Sequence, residues 1–355
     1  MSERTITDAI PVRGTGTLDR GTIVAGTGVV MTVVAFVAFL LKSDLTVVPL
    51  VAALVLFGYG WYAEQATTAK TLTLLATTSS VLVLVLIVVY LLLQAWPVYR
   101  TMGIDALTRT EQPMWSTSSD VYSMVPMMWG TLVTTLLAMA IAGPLGIAGA
   151  IYISEFAPRR VRDVVKPGVE ILAGIPSIVY GFLGYVILNQ YMMERLELPT
   201  FGSLFIVGLV VGTMALPTVV SIAEDAISSV PESMKDGSVA LGTTDWQTVK
   251  TITVPAAFSG IFAAVLLGVG RAIGETMAAT VILGHAQELP DPLYDVFGNT
   301  ETLTSLIASQ YGNAHGMHMR ALFAAGVILF VTVLVLSVAS QRIEARMKRK
   351  LGGNE

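Results

Sequence analysis

Residues 224–255 read EDAISSVPESMKDGSVALGTTDWQTVKTITVP, and this stretch decides how the rest of the chain is read. It is the one long polar segment set between two apolar spans that still carries helix punctuation. Ser229 and Pro231 predict a helix start, because the first helical N–H has no partner and proline has none to lose. Gly242 predicts the stop, since glycine takes a left-handed cap without a steric penalty. Thr244-Asp245-Trp246-Gln247 has the spacing of a capping box and opens a second short helix. Pro255 ends it. The segment is thus helix, glycine turn, helix, presented outside a membrane.

The membrane is implied by composition. Hydrophobic residues make up 54% of the 355 and charged ones 13%, about half the charged share of an average soluble domain, and the mean hydropathy is +0.72. Apolar windows long enough to cross hydrocarbon fall at 21–41, 45–63, 71–99, 121–154, 171–193, 198–223, 256–284 and 321–341, and all but the seventh, which Arg271 and Glu275 interrupt, are free of charge. The fourth is too long for one span, so its first residues are read as loop, with Gly143-Pro144 as a break or kink. The fold class is therefore all-α, a polytopic membrane bundle of about eight transmembrane helices. Residues 1–20 are polar and no small-residue cleavage site follows the first apolar run, so that run is read as a retained span.

Lys and Arg divide unevenly between the two sets of loops. Fifteen, from Arg4, Arg13 and Arg20 to Arg342, Arg346 and Lys348–Lys350, fall on the side of both termini; five (Lys42, Arg100, Arg109, Arg195, Arg320) fall on the other. The positive-inside rule then puts both termini and residues 224–255 in the cytoplasm of a multi-pass cell-membrane protein. The outer loops, 100–120 and 285–320, are long and polar, and the second carries Glu288, Asp291, Asp295 and Glu301. Such loops are solvated surface or meeting points for an outside partner.

Candidate chemistry sits in the later spans. Arg271 and Glu275, in GVGRAIGETMAAT, lie four residues apart inside the seventh span. A continuous helix would put them on one face as an ion pair, and intramembrane charges face a bundle interior or a water-filled path. The planar Arg fork suits an oxyanion; Glu275 would hold the Arg in its absence or accept a proton from a hydrogen-bearing anion. Gly174-Ile175-Pro176-Ser177 predicts a bend in the fifth span, from which Ser177 and Tyr180 offer donors; Thr218, beside Pro217 in the sixth, is a further path candidate. Arg159-Arg160-x-Arg162 reads as an inner-face signal contacting anionic membrane lipid. There is no cysteine, and His315-x-x-His318 has no compelling third ligand, so neither metal nor cofactor is expected. A net charge of −4 gives no reason to invoke nucleic acid. No phosphate-binding Gly-x-x-x-x-Gly-Lys-Ser/Thr loop occurs, so the chain itself is not expected to hydrolyse ATP.

The hairpin resembles the EAA coupling loop of ABC importer permeases, with Asp236, Gly237 and Ser238 in the place of Glu-Ala-Ala, then three residues and Gly242, then nine residues and Ile252 to Pro255 as its closing I-x-L-P. Further stretches resemble the phosphate ABC permeases, of PstC more than PstA type: YISEFAPRR from 152, ILAGIPSIVYGFLG from 171, ALPTVVSIAEDAISSVPESMKDGSVALGTT from 215 and RAIGETM from 271. The resemblance implies the type I importer core at 71–355, with the coupling loop on an ATPase, and alternating-access import of inorganic phosphate past Arg271. It implies as partners a second permease subunit, an ATPase dimer and an extracytoplasmic phosphate-binding protein. The family usually has six spans; the tail and hairpin at 1–70 are an addition. Alternatives are a permease for sulfate or molybdate, an ion-coupled secondary carrier using Glu275, and a membrane scaffold whose loop docks a cytosolic protein.

Overall fold

The computed structural model describes residues 19–197 and 201–350. Arg4 and Arg13 of the N-terminal tail, and Leu198 at the expected start of the sixth span, lie outside them. The chain divides into two compact units, 1–89 and 90–355, within one long helix.

In the first unit, α1 (Arg20–Leu40) and α2 (Val47–Ala63) form an antiparallel hairpin joined by a tight turn. Ser43 accepts from the Leu45 N–H at that turn. The long α3 (Gln65–Met102) begins in this unit and continues into the second.

In the second unit, short α4 (Asp105–Thr108) and a two-stranded ribbon, β1 (Trp115–Ser116) with β2 (Val121–Tyr122), lead into α5 (Val125–Ile151). Val121 and Tyr122 are thus outside the helix, as expected of an over-long window. Gly143-Pro144 does not break α5, which runs through it. A proline removes one rung of the ladder, and neighbouring helices in a bundle make that tolerable; here α5 packs along α9 (Leu204–Ser228). Between them lie α6 (Arg159–Ala173), α7 (Ser177–Leu183) and α8 (Gln190–Leu196). The expected bend at Gly174–Pro176 is a full break: the helices on either side meet at 88°. The apolar helix therefore starts at Ser177 and not at Ile171, and α6 leads into it as a separate arm.

The hairpin follows as α10 (Glu232–Ala240), α11 (Asp245–Thr248) and α12 (Val254–Ala256). Pro231 caps α10, and Ser229 caps the end of α9. Gly242 has φ +87°, and Thr244 with Gln247 forms the capping box. Helical turns continue past Pro255 to Ala256, so proline is not the stop; near a helical start it has no N–H to lose. The stop is a 72° bend into α13 (Phe258–Ile273). Next come α14 (Met277–Ile282), α15 (Leu303–Gln310) and α16 (Gly316–Lys350). Among the described residues, six helices are long and apolar enough to cross a membrane, and eight if each bent pair counts as one span.

The packing centre is α9, which is largely buried between α5 and α13. Ala142, Ala150, Ala215, Val219, Ala223 and Ala264 meet there without exposed surface. Small residues let helix backbones approach where no hydrophobic driving force exists between apolar helices in lipid.

Candidate functional site: a coupling hairpin and a polar cluster behind it

The hairpin is held from within by hydroxyls. Ser238 Oγ lies 2.8 Å from Thr243 Oγ1, which lies 2.9 Å from Thr248 Oγ1, and Ser238 and Thr248 are buried. These bonds tie α10 to α11 across the Gly242 turn. Asp236, Gly237 and Gly242 are exposed; Ile252 and Pro255 are half-buried. Apolar surface also faces outward: Leu241 is 88% exposed and Trp246 60%. Exposed large apolar side chains rimmed by polar residues mark a docking surface.

Ion pairs connect this hairpin to the bundle. Lys235 Nζ is 2.6 Å from Glu155 Oε1, with both side chains mostly buried. Glu155 stands on the wide π turn Tyr152–Phe156 that ends α5. Near the end of α9, ahead of the hairpin's first helix, Glu224 is 1% exposed and pairs with both Arg162 and Lys166 of α6. A carboxylate buried near a helix C-terminus is unfavourable alone, and two cations offset that. Arg162 is therefore engaged with protein and not only with lipid, which corrects the sequence expectation. We expect Lys235→Ala to lower complex stability by about 1.5–3 kcal/mol, the range for a hydrogen bond to a charged group; thermal unfolding in detergent measures it.

The intramembrane charges are arranged differently from the sequence expectation. The helix ends at Ile273, and Gly274 to Thr276 separate α13 from α14. Arg271 and Glu275 thus do not share a continuous face, and among the described residues no ion pair joins them. Instead Glu275 Oε1 accepts from the Ala278 N–H at 3.0 Å, capping α14. Among the described residues, Arg271 Nε is buried without a hydrogen-bond partner. A buried donor without a partner carries its full desolvation penalty, which an anion would relieve.

Around Glu275 the lining is hydroxyl-rich: Thr131 and Thr134 from α5, Thr302 and Thr304 at the start of α15. Thr304 Oγ1 donates to the Glu275 carbonyl at 2.7 Å, and Thr131 Oγ1 accepts from the Leu303 N–H at 3.0 Å. Gly130 is what allows this approach, because a Cβ there would collide with the Glu301 carbonyl. Gly130→Ala should force α5 and residues 301–304 apart and cut transport by about tenfold, on the overpacking cost of about 1–3 kcal/mol; uptake by the assembled complex checks it. Ser177, Tyr180 and Thr218 do not line this cluster. The Tyr180 hydroxyl donates to the Leu172 carbonyl at 3.2 Å, bracing the 88° break. Ser177 and Thr218 are half-buried. A more open apolar groove of about 480 Å³ lies beside the cluster, lined by Met128, Trp129, Leu132, Ile273 and Leu293; its lining carries no charge.

Bent and broken spans around a polar midsection, with a helical hairpin carried between two spans, define the permease class of ABC importer subunits. The chain belongs to the family described as binding-protein-dependent transport system inner membrane component, which it matches over residues 142–349, and within that family to its PstC-type members. It is 37% identical over 65% of its length to a probable ABC transporter permease protein, YqgH, of Bacillus subtilis, covering 74% of that protein. It is 32% identical over 76% of its length to the phosphate transport system permease protein PstC of Pasteurella multocida, covering 89% of it. Among solved structures, an alginate ABC transporter superposes with a TM-score of 0.52 at 15% identity, over 82% of this chain and 98% of that one. An inward-facing MetNI methionine ABC transporter superposes at 0.51 and 18% identity, over 63% and 95%. At those identities the structural likeness speaks for the fold.

Proposed function

We propose that the chain is a membrane permease subunit of an ATP-driven importer that moves inorganic phosphate inward by alternating access. The observation that carries the coupling half of this reading is the hairpin: rigid within, apolar on its outer face, and ion-paired through Lys235 to the end of α5. Such an element transmits a push from a docked ATPase subunit to the helices that line the path. The phosphate half rests on PstC relatives matched over most of the chain. The ATPase is a separate pair of subunits, and a second permease subunit completes the path. A phosphate-binding protein delivers the anion from outside, where residues 285–302 lie. Both termini and the hairpin are cytoplasmic.

The path residue of first importance is Arg271. Its guanidinium offers charge and paired donors to an oxyanion, and the unpartnered Nε leaves it free to do so. Glu275 is the second: its carboxylate, anchored through Oε1 on the Ala278 N–H, can accept from a protonated phosphate oxygen. Binding there must be weak, since a tight single site would trap the ion. Ser177, Tyr180 and Thr218 are secondary lining positions, used as neighbouring helices move.

Radiolabelled phosphate uptake tests this in cells lacking other phosphate importers, with the chain expressed together with its neighbouring genes. We expect uptake that requires an active ATPase and ignores sulfate and molybdate. Uptake that persists with a dead ATPase would point to a secondary carrier; competition by sulfate or molybdate would reassign the oxyanion.

A further inference from the structure

Outside the path, one ionisable cluster is built with unusual care. Glu301 is 0% exposed. Its Oε1 lies 2.7 Å from His285 Nδ1 and accepts from the Ser309 hydroxyl at 2.8 Å. Its Oε2 is buried with no partner among the described residues. The Glu301 N–H donates to the Ala286 carbonyl at 2.9 Å, and its own carbonyl packs on Gly130. His285 holds φ +60°, a left-handed conformation uncommon away from glycine. Directly after Glu301 come Thr302, which caps α15, and Thr304, which holds the backbone of Glu275.

We propose that Glu301, gripped by His285 and Ser309, is a positioning residue for transport: it fixes residues 302–304 against Glu275, and protonated His285 keeps the grip closed. The inference rests on the importer reading for its transport readout, though not for its structural one. The groups that could interfere are few. Of the helices packed here, α5, α14 and α15 carry no ionisable side chain; α16, which also packs on α15, brings His318 and Arg320, and His318 is held by Gln310. Among the described residues Glu288, Asp291 and Asp295 of the same segment make no ion pair with His285, and Glu301 is the charged group that acts on it. The hydrogen bond to Glu301 raises the His285 pKa above the usual imidazole value, against an opposing contribution from burial. The grip is therefore fully present below the ordinary histidine range and is lost as pH rises through the raised value. Above that point a buried carboxylate faces a neutral ring, and residues 285–304 loosen because a buried charge without a counter-charge is costly.

Two readouts on the purified full complex test this. One is ATP-dependent phosphate uptake against pH. The other is hydrogen exchange of residues 283–310, corrected for intrinsic rates. The wild type should lose uptake, and residues 283–310 should lose protection, on the alkaline side. His285→Gln should cut uptake by roughly tenfold at neutral pH, the change expected for losing one charged hydrogen bond, and should flatten both alkaline limbs. His285→Lys, which stays charged, should shift both limbs to higher pH. Wild-type profiles in His285→Gln, by uptake and by exchange, would overturn the proposal. If His285→Gln fails to assemble, the His285→Lys shift and the wild-type exchange profile decide. If the wild-type complex moves no phosphate, the importer reading fails, and the exchange profiles still decide this one.

Discussion

Arg271→Gln is expected to cut phosphate uptake by at least about 10- to 100-fold while leaving the complex assembled. Glutamine keeps length and polarity but removes the charge and the planar fork. A charged hydrogen bond contributes about 1.5–3 kcal/mol, and each 1.4 kcal/mol is about tenfold. Because Arg271 has no ion-pair partner among the described residues, its loss strands no buried carboxylate, so folding should be nearly unaffected. Arg271→Lys separates charge from geometry: if the fork matters, lysine restores only a fraction of uptake. Uptake and size-exclusion of the complex from one membrane preparation measure both. Wild-type uptake in assembled Arg271→Gln would remove this residue from the path.

Gly242→Val is the second large effect, and it acts on coupling and not on the anion. At φ +87°, a side chain is strained by about 1–2 kcal/mol, and β-branching adds to that. No atom lies within 4 Å of a Cβ built there, so the strain is in the backbone and not in packing. The turn will open, and the Ser238–Thr243–Thr248 hydroxyl chain across it will break. ATP hydrolysis should then continue with little transport, as a docked subunit pushes on a hairpin that yields. Gly242→Asn, which tolerates the left-handed region better, should recover much of the coupling. The ratio of phosphate moved to ATP hydrolysed is the quantity to measure; an unchanged ratio in Gly242→Val would contradict the role given to the turn.

The hairpin was legible because its signals are local. Pro231, Gly242 and the Thr244–Gln247 box each act within four residues, and each is found in its expected role. The bundle of spans was legible for a similar reason, since lipid leaves a long apolar segment little choice but helix. The polar connections were not. Glu224 finds Lys166 across 58 residues of sequence and Arg162 across 62, and Glu155 finds Lys235 across 80; no periodicity encodes such pairs. The Arg271–Glu275 expectation failed because four-residue spacing implies contact only while the helix lasts, and Gly274 lies between them as the C-cap of α13. Glu301 was grouped with a polar outer loop, yet it is fully buried. Thr302 with Ser305, a capping pattern three residues apart, was the available sign that a helix starts there and that its preceding residue is fixed.

The hairpin's contact with an ATPase is the claim on which the account turns, and the chain's lack of cysteine makes it directly measurable. Leu241→Cys places one thiol at the most exposed apolar point of the hairpin. In the assembled importer, a short bifunctional crosslinker should join this position to the ATPase subunit, with a yield that changes when ATP is added. A complex that still imports phosphate, but in which Leu241→Cys never crosslinks to the ATPase, would contradict it.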